Sequence, residues 1–306
     1  RAISRREKAG IKVPDNDDLP VYRPYLNQVS ARGLDLHSTS KWLNTGPFRS
    51  ASPAATGELM LLPFVDSVII VKRPGKKSIT EGKLDFATGT NITQSFNNPL
   101  TMIGGDALHN SGYTGKGILI AVLDGGFSRA DVIPSLAGLR SRKGIIATYD
   151  FVRGDSYVYG FHDHGTAVMS VLAGSLPGLI AGTAPGADYC LLRTEDGGSE
   201  FPVEEDYWAA GAEYADSIGA DIISSSLGYY TFDDPSMSYS FADMDGNSAF
   251  VTKAADIAAS KGIVVIASAG NERNKPWQRI IAPSDGDNVV AAGAVDGYNV
   301  ISSFSS

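Results

Sequence analysis

From Gly117 onward the chain alternates short apolar runs with segments whose apolar residues recur at helical spacing. The runs are ILIAVLD, IIATYDF, DYCLLRT, DIISSSLG, IVVIASAG and VVAAGAV. Continuous apolar runs of this kind, rich in Val and Ile, predict parallel strands buried on both faces. Between them, Glu204 to Gly219 places Trp208, Gly211, Ala215 and Ile218 on one helical face. Phe250 to Lys261 does the same with Val251, Ala254, Ala255 and Ala258, and Gly219 and Gly262 are the expected helix stops. A third helix is predicted in FHDHGTAVMSVLAG, Phe161 to Gly174, with Val168, Val171 and Leu172 on its buried face. Strands alternating with helices give an α/β fold with a doubly wound, mostly parallel sheet. Sites in such sheets lie at the carboxyl ends of strands, and Asp124, Gly228 and Asn271 all stand at such ends.

The first third of the chain reads differently. Residues 1–19 are polar and charged, ending in the turn-rich PDNDDLP. Tyr22 to Gly33 predicts a helix, Leu34 to Asn44 a strand, Ser52 to Leu62 a helix capped by Ser52 with Pro53 at its first position, and Val65 to Arg73 a strand. That is most of a small α+β domain, taken as residues 1–77. Pro74 to Asn98 is rich in Gly, Lys, Thr, Ser and Asn and reads as linker. The domains are therefore expected as 1–77, a linker over 78–98, and 99–306, the last opening with a helix over Leu100 to Asn110.

Composition narrows the function classes. A net charge of −8 argues against nucleic acid as a partner. No apolar run reaches the ~18 residues of a membrane span. The single cysteine, Cys190, sits in an apolar strand and reads as a small buried hydrophobe. Charge is unevenly spread: residues 1–77 hold 13 Lys and Arg against 7 Asp and Glu, and residues 78–306 hold 13 against 27. A basic head facing an acidic body is expected to dock on it.

The candidate chemistry centres on two residues. Asp124 ends the strand GILIAVLD, and His164 opens the helix that follows. An acid that orients a histidine, and a histidine that takes a proton, are two parts of a charge-relay site. Two rival chemistries are weaker. His162 and His164 form an H-x-H, but the other histidines, His37 and His109, lie far upstream. The turn Gly125-Gly126 follows a strand, yet G-x-G-x-x-G spacing is absent and Asp124 would repel a pyrophosphate.

The order Asp, then His, together with HGT at Gly165-Thr166, the IVVIASAGNE stretch, DIISSSLGY and GTAPGADYCLLR, resembles the subtilisin-like serine peptidases. RAISRREKAGI, DLPVYRPYLNQV, SKWLN and LPFVDSVIIV resemble the propeptide of a secreted bacterial branch of that family. The resemblance implies a secreted serine endopeptidase in zymogen form. Asp124 and His164 would be triad members and Asn271 the oxyanion donor. Ser226, Leu227 and Gly228 would pair with the substrate backbone, with Ala269 and Gly270 as the opposite wall. Glu272 would stand near the pocket mouth, as a selector of basic side chains or as a solvated rim carboxylate.

The head would bind and inhibit the catalytic domain, and its cleavage point is expected in the linker. Propeptides of the family begin one strand earlier and the chain opens at Arg1 rather than Met, so an upstream segment is expected to have been removed. The family nucleophile motif G-T-S does not occur in residues 1–306. The serine is therefore expected outside this chain, in a truncated remainder or on a separate polypeptide, and the chain alone is expected to be inactive. The alternative is a non-catalytic protein of the same fold that binds peptides or partners. No cofactor and no metal ligand is assigned. Asp243, Asp245 and Asn247 carry part of a calcium-loop pattern without its full spacing, and the cluster Glu195, Asp196, Glu200, Glu204, Glu205 and Asp206 has no assigned role.

Overall fold

A computed structural model describes residues 1–50, 55–73 and 99–306. Ser52, Pro53 and the linker with its expected cleavage point lie outside the described residues. The head contains α1 (Ala2–Lys8), α2 (Arg23–Ser30), β1 (Leu34–Leu36), β2 (Phe48–Ser50) and α3 (Ala55–Leu59). The body follows with α4 (Pro99–Met102), α5 (Gly105–Asn110), β3 (Leu119–Asp124), α6 (Ala137–Ser141), β4 (Ile145–Asp150) and α7 (His164–Ala173). A short hairpin, β5 (Ser175–Leu176) and β6 (Ile180–Ala181), precedes β7 (Asp188–Arg193), α8 (Val203–Ile218), β8 (Ile222–Ser225), α9 (Phe250–Ser260), β9 (Val264–Ser268) and β10 (Val289–Ala292).

Six strands form one parallel sheet in the order β10-β9-β8-β3-β7-β4. Strand β3 lies inside it and all six of its residues are buried. Its side chains alternate between two cores, as a strand's period of two requires. Leu119, Ala121 and Leu123 pack with Trp208, Ala212 and Ala215 of α8 and Val251, Ala254 and Ala258 of α9. Ile120 and Val122 pack on the other face with Phe127, Leu136, Leu139 and Met169. This double burial explains why the run carries no polar residue until Asp124. Helix α7 differs from the expected face: Val171 is 60% exposed, and the buried side is Thr166, Met169 and Ala173. Cys190 is buried in β7, where burial pushes its thiol up to about 12, so it is inert at neutral pH.

The head departs from its expected elements in three places. Helix α1 forms where no apolar periodicity announced one. The stretch Leu34 to Asn44 is a strand only over β1, then turns through the Ser40–Thr45 bridge into an antiparallel β2. Residues 65–73 pair with no strand among the described residues. Their Val71 carbonyl instead accepts from Val203 N at 3.1 Å. The helix expected over Leu100 to Asn110 is broken into α4 and α5 at Gly104, whose φ is 70°.

Ion pairs explain α1. Arg5 and Arg6 both donate to Asp216, near the end of α8, and Arg1 reaches Asp221. Both guanidiniums on Asp216 and its carboxylate are nearly buried, at 8%, 3% and 3% side-chain exposure. The sign reverses next door, where buried Lys261 donates to Asp15 and Asp17 of the head. Glu213 of α8 accepts from Ser40 Oγ at 2.6 Å and from Trp42 N at 3.1 Å, and the Trp42 ring joins the α8–α9 core. The expected attraction between head and body thus resolves into a few specific pairs.

Removing one partner of a buried ion pair leaves an uncompensated charge and costs about 3–5 kcal/mol. Asp216→Asn is therefore expected to loosen the head first. Limited proteolysis should cut residues 1–50 much faster than in wild type while residues 117–306 stay resistant.

Candidate active site

Strand β3 delivers Asp124 to the carboxyl edge of the sheet with its side chain fully buried. The loop after it is stitched directly to the start of α7. Gly165 N donates to Gly126 O at 3.0 Å, Thr166 Oγ1 to Ser128 O at 2.7 Å, and Ser128 N to His162 O at 3.1 Å. Only glycine fits at two of these crossings. A Cβ on Gly165 would stand 2.6 Å from Gly126 O, and one on Gly126, at φ +151°, 2.7 Å from His162 N. The close approach brings His164, the first residue of α7, against Asp124.

His164 Nδ1 lies 2.9 Å from both Asp124 carboxylate oxygens. A carboxylate only accepts, so the ring proton sits on Nδ1 and Nε2 becomes the proton-accepting nitrogen. Asp124 Oδ1 also accepts from Gly125 N at 2.7 Å, which fixes the carboxylate's rotation. Burial opposes a positive charge on His164. The hydrogen bond and charge of Asp124 outweigh it, with Asp163 and Glu195 adding, and the pKa rises above the ordinary 6.5. The arrangement is an oriented base whose protonated form is stabilised.

The other expected residues leave the sheet at the same edge. Leu123 stands opposite Ser225, and Ser225 opposite Ala267, so β3, β8 and β9 end level. Ser226–Gly228 and Ala269–Asn271 therefore emerge on two adjacent strands beside Asp124. At about 4.8 Å per strand, the two outer exits are roughly 10 Å apart. Asn271 is exposed, on a loop anchored by Ser306 N donating to Gly270 O at 3.0 Å. Leu227, Ala269 and Gly270 are buried and Ser226 and Gly228 half-buried. Glu272 is not at a solvated rim. It is 5% exposed and accepts from Tyr230 Oη at 2.6 Å and Lys275 Nζ at 2.9 Å, so neither expected role fits it.

Three contributors escape a reading by apolar pattern. His162 Nδ1 accepts from His164 N at 3.1 Å and so holds the entry to α7. Arg193, buried at the end of β7, donates to Asp150 at 2.9 Å and to Gly125 O at 3.0 Å, and its guanidinium lies 4.0 Å from the centre of the Phe161 ring. It fastens both chain segments that frame the Asp124–His164 pair. A charged residue closing the apolar run Tyr189 to Leu192 was its only sequence signal.

The acidic cluster is third. Glu195 accepts from Tyr229 Oη at 2.8 Å, and Glu204 accepts from the amides of Asp196 and Phe201. Glu205 accepts from Val251 N and Tyr239 Oη and so ties α8 to α9. Burial, partly offset by these bonds, pushes Glu205 to about 7, and burial alone does the same to Asp206. Glu195, Glu200 and Glu204 each bring a carboxylate oxygen within 4.8 Å of the others, and among the described residues they are the group with metal-ligating proximity. Asp243 and Asp245 are occupied in capping Ser240 and the turn at Asn247 and Ser248. No helix among the described residues is long and apolar enough to cross a membrane.

Residues 115–306 match the model of the Subtilase family, and residues 1–83 match the Peptidase S8 propeptide domain, Bacteroidota. Subtilisin DY of Bacillus licheniformis is 30% identical over 213 residues, covering 68% of this chain and 67% of that protein. Subtilisin E of Bacillus subtilis (strain 168) is 30% identical over 208 residues, covering 68% of this chain and 48% of that protein, so the chain spans about half of its length. Among solved structures, the prenylagaramide maturation protease PagA aligns over 66% of this chain and 62% of its own, at 21% identity and a TM-score of 0.49.

Two pH effects follow. NMR titration of the His164 ring in this chain should give a midpoint above 6.5, and Asp124→Asn should lower it, because burial remains while the opposing carboxylate is gone. Glu205 is raised from 4.5 to about 7 on folding, so between these values the folded chain holds a proton that the unfolded chain has lost. Its contribution to stability is therefore full below pH 4.5 and declines up to about 7, by on the order of 3 kcal/mol. Urea denaturation at stepped pH should show the decline together with that of Asp206, which is raised over the same range, and Glu205→Gln should remove the Glu205 share and leave the rest.

Proposed function

Because the chain belongs to the subtilase family of serine peptidases, we propose that it serves in a secreted endopeptidase kept in zymogen form by residues 1–77, with the attacking serine supplied from beyond residue 306. A peptide would lie extended along Ser226–Gly228, with Ala269 and Gly270 across from it. The serine hydroxyl attacks the scissile carbonyl while His164 Nε2 takes its proton. Asp124 holds Nδ1–H and offsets the charge of the imidazolium. The Asn271 side-chain amide donates to the oxyanion of the tetrahedral intermediate. His164 then gives its proton to the leaving amine, and water repeats the sequence on the acyl-enzyme.

One observation carries this reading: a wholly buried carboxylate placing both oxygens 2.9 Å from Nδ1 of a half-buried histidine. Burying a carboxylate is costly, and a module that only binds peptides gains nothing from an oriented base. The zymogen reading is supported by the head's extended end. Lys72 Nζ pairs with Asp196 Oδ2 at 3.3 Å and Arg73 with Asp234 at 3.1 Å, and these acids follow β7 and the Ser226–Gly228 stretch.

In the full-length protein, His164→Ala should lower turnover on a peptide substrate by about 10⁶-fold, as loss of the base does in a subtilisin. Asn271→Ala should cost about 10²–10³-fold, the magnitude measured for a subtilisin that lost its oxyanion donor. Circular dichroism of both variants should match wild type. An active His164→Ala variant would refute the assigned role.

A further inference from the structure

We propose that Ile281 sets the depth of the slot that receives the substrate side chain on the acyl side of the scissile bond, and confines it to small residues such as Gly and Ala. The inference rests on the peptidase reading and names its substrate class. The two walls of that slot are strips of backbone, Gly228 after β8 and Gly270 after β9, which leave neighbouring strands of the sheet. The Ile281 side chain lies against both, and Ser306 Oγ stands 3.2 Å from a Cβ built on Gly270. A Cβ built on Gly228 would meet Ile281 Cδ1 at 2.3 Å, and one built on Gly270 would meet the same atom at 3.0 Å. The Ile281 methyl thus touches the bare face of both glycines. It fills the space that two glycines would otherwise leave open, and Ile281 itself is 7% exposed.

The side chain is held there. Tyr229 N donates to Ala282 O at 2.8 Å and Ala282 N donates to Tyr229 O at 3.2 Å, a closed pair that fixes Ile281 beside Gly228. Ser284 N donates to Ile281 O at 2.9 Å, which fixes its other side. A β-branched side chain has little freedom at χ1, so it does not swing aside for a larger guest. A ring or a long aliphatic chain entering between Gly228 and Gly270 meets the Cδ1 methyl, whereas hydrogen or a single methyl group stops short of it. The slot therefore selects by length, not charge. Glu272, the nearest acid in sequence, is already engaged by Lys275 and Tyr230.

The test uses the matured full-length protein and two tetrapeptide p-nitroanilides that differ only in the last residue, Ala or Phe. Wild type should favour Ala in kcat/KM by about 10²-fold, the discrimination a closed apolar pocket achieves. Ile281→Gly should shift the Phe-to-Ala ratio by about 10²-fold toward Phe. Ile281→Val, which deletes only the Cδ1 methyl and is the milder change for folding, should shift it by about tenfold in the same direction. A wild-type preference for Phe, or a ratio unmoved in both variants, overturns the proposal. Should wild type cleave neither peptide, the peptidase reading fails separately. Calorimetric binding of the matching peptide amides then decides the slot: tighter binding of the Ala peptide supports it, and equal binding or none overturns it.

Discussion

The structure turns on a carboxylate with nowhere to go. Asp124 ends a strand whose every residue is buried, and its own side chain is fully enclosed. A charge in that position persists only if donors surround it. Gly125 N supplies one and His164 Nδ1 the other, and the rest of the local chain path serves to deliver that histidine. The loop from Gly125 to Ser128 crosses the start of α7 at contact distances that only glycine permits. Arg193 reaches in from the neighbouring strand and holds the Gly125 carbonyl and the Phe161 ring. The same pairing that satisfies the buried acid orients the imidazole, so the fold and the proposed chemistry depend on one contact.

The level ends of the parallel strands do the remaining work of assembly. Successive parallel strands need helical crossovers, and the crossovers here, α8 and α9, cover one face while α7 covers the other. The loops at the carboxyl edge are left free to carry chemistry. Asp124, Ser226–Gly228 and Ala269–Asn271 converge there although about 150 residues separate the first from the last. The head exploits the opposite feature of the same helices. It sits on α8 and α9 through Asp216, Glu213 and Lys261, charged groups that the body buries against it.

What could be read in advance follows from how strong each physical signal is in sequence. Strands buried on both faces carry an unbroken apolar run, so β3, β7, β8 and β9 and the helices between them were legible, and with them the places of Asp124, His164 and Asn271. Helix α1 was not, because it is held by Arg5 and Arg6 against Asp216 rather than by an apolar stripe. The exposed Val171 in α7 shows the converse: in a short helix with few polar residues, hydrophobicity alone does not say which side is buried. The acids of α8 were opaque for a third reason. Glu204 and Glu205 serve as buried acceptors for distant amides and hydroxyls, and those partners are set by tertiary packing.

The most direct test of the central claim, that the Asp124–His164 pair activates a serine, is fluorophosphonate labelling of the matured full-length protein followed by peptide mapping. The account predicts one stoichiometrically modified serine, located beyond residue 306, and no modification of residues 1–306 treated alone. A folded full-length protein that takes no label, or takes it on a serine within residues 1–306, would contradict it.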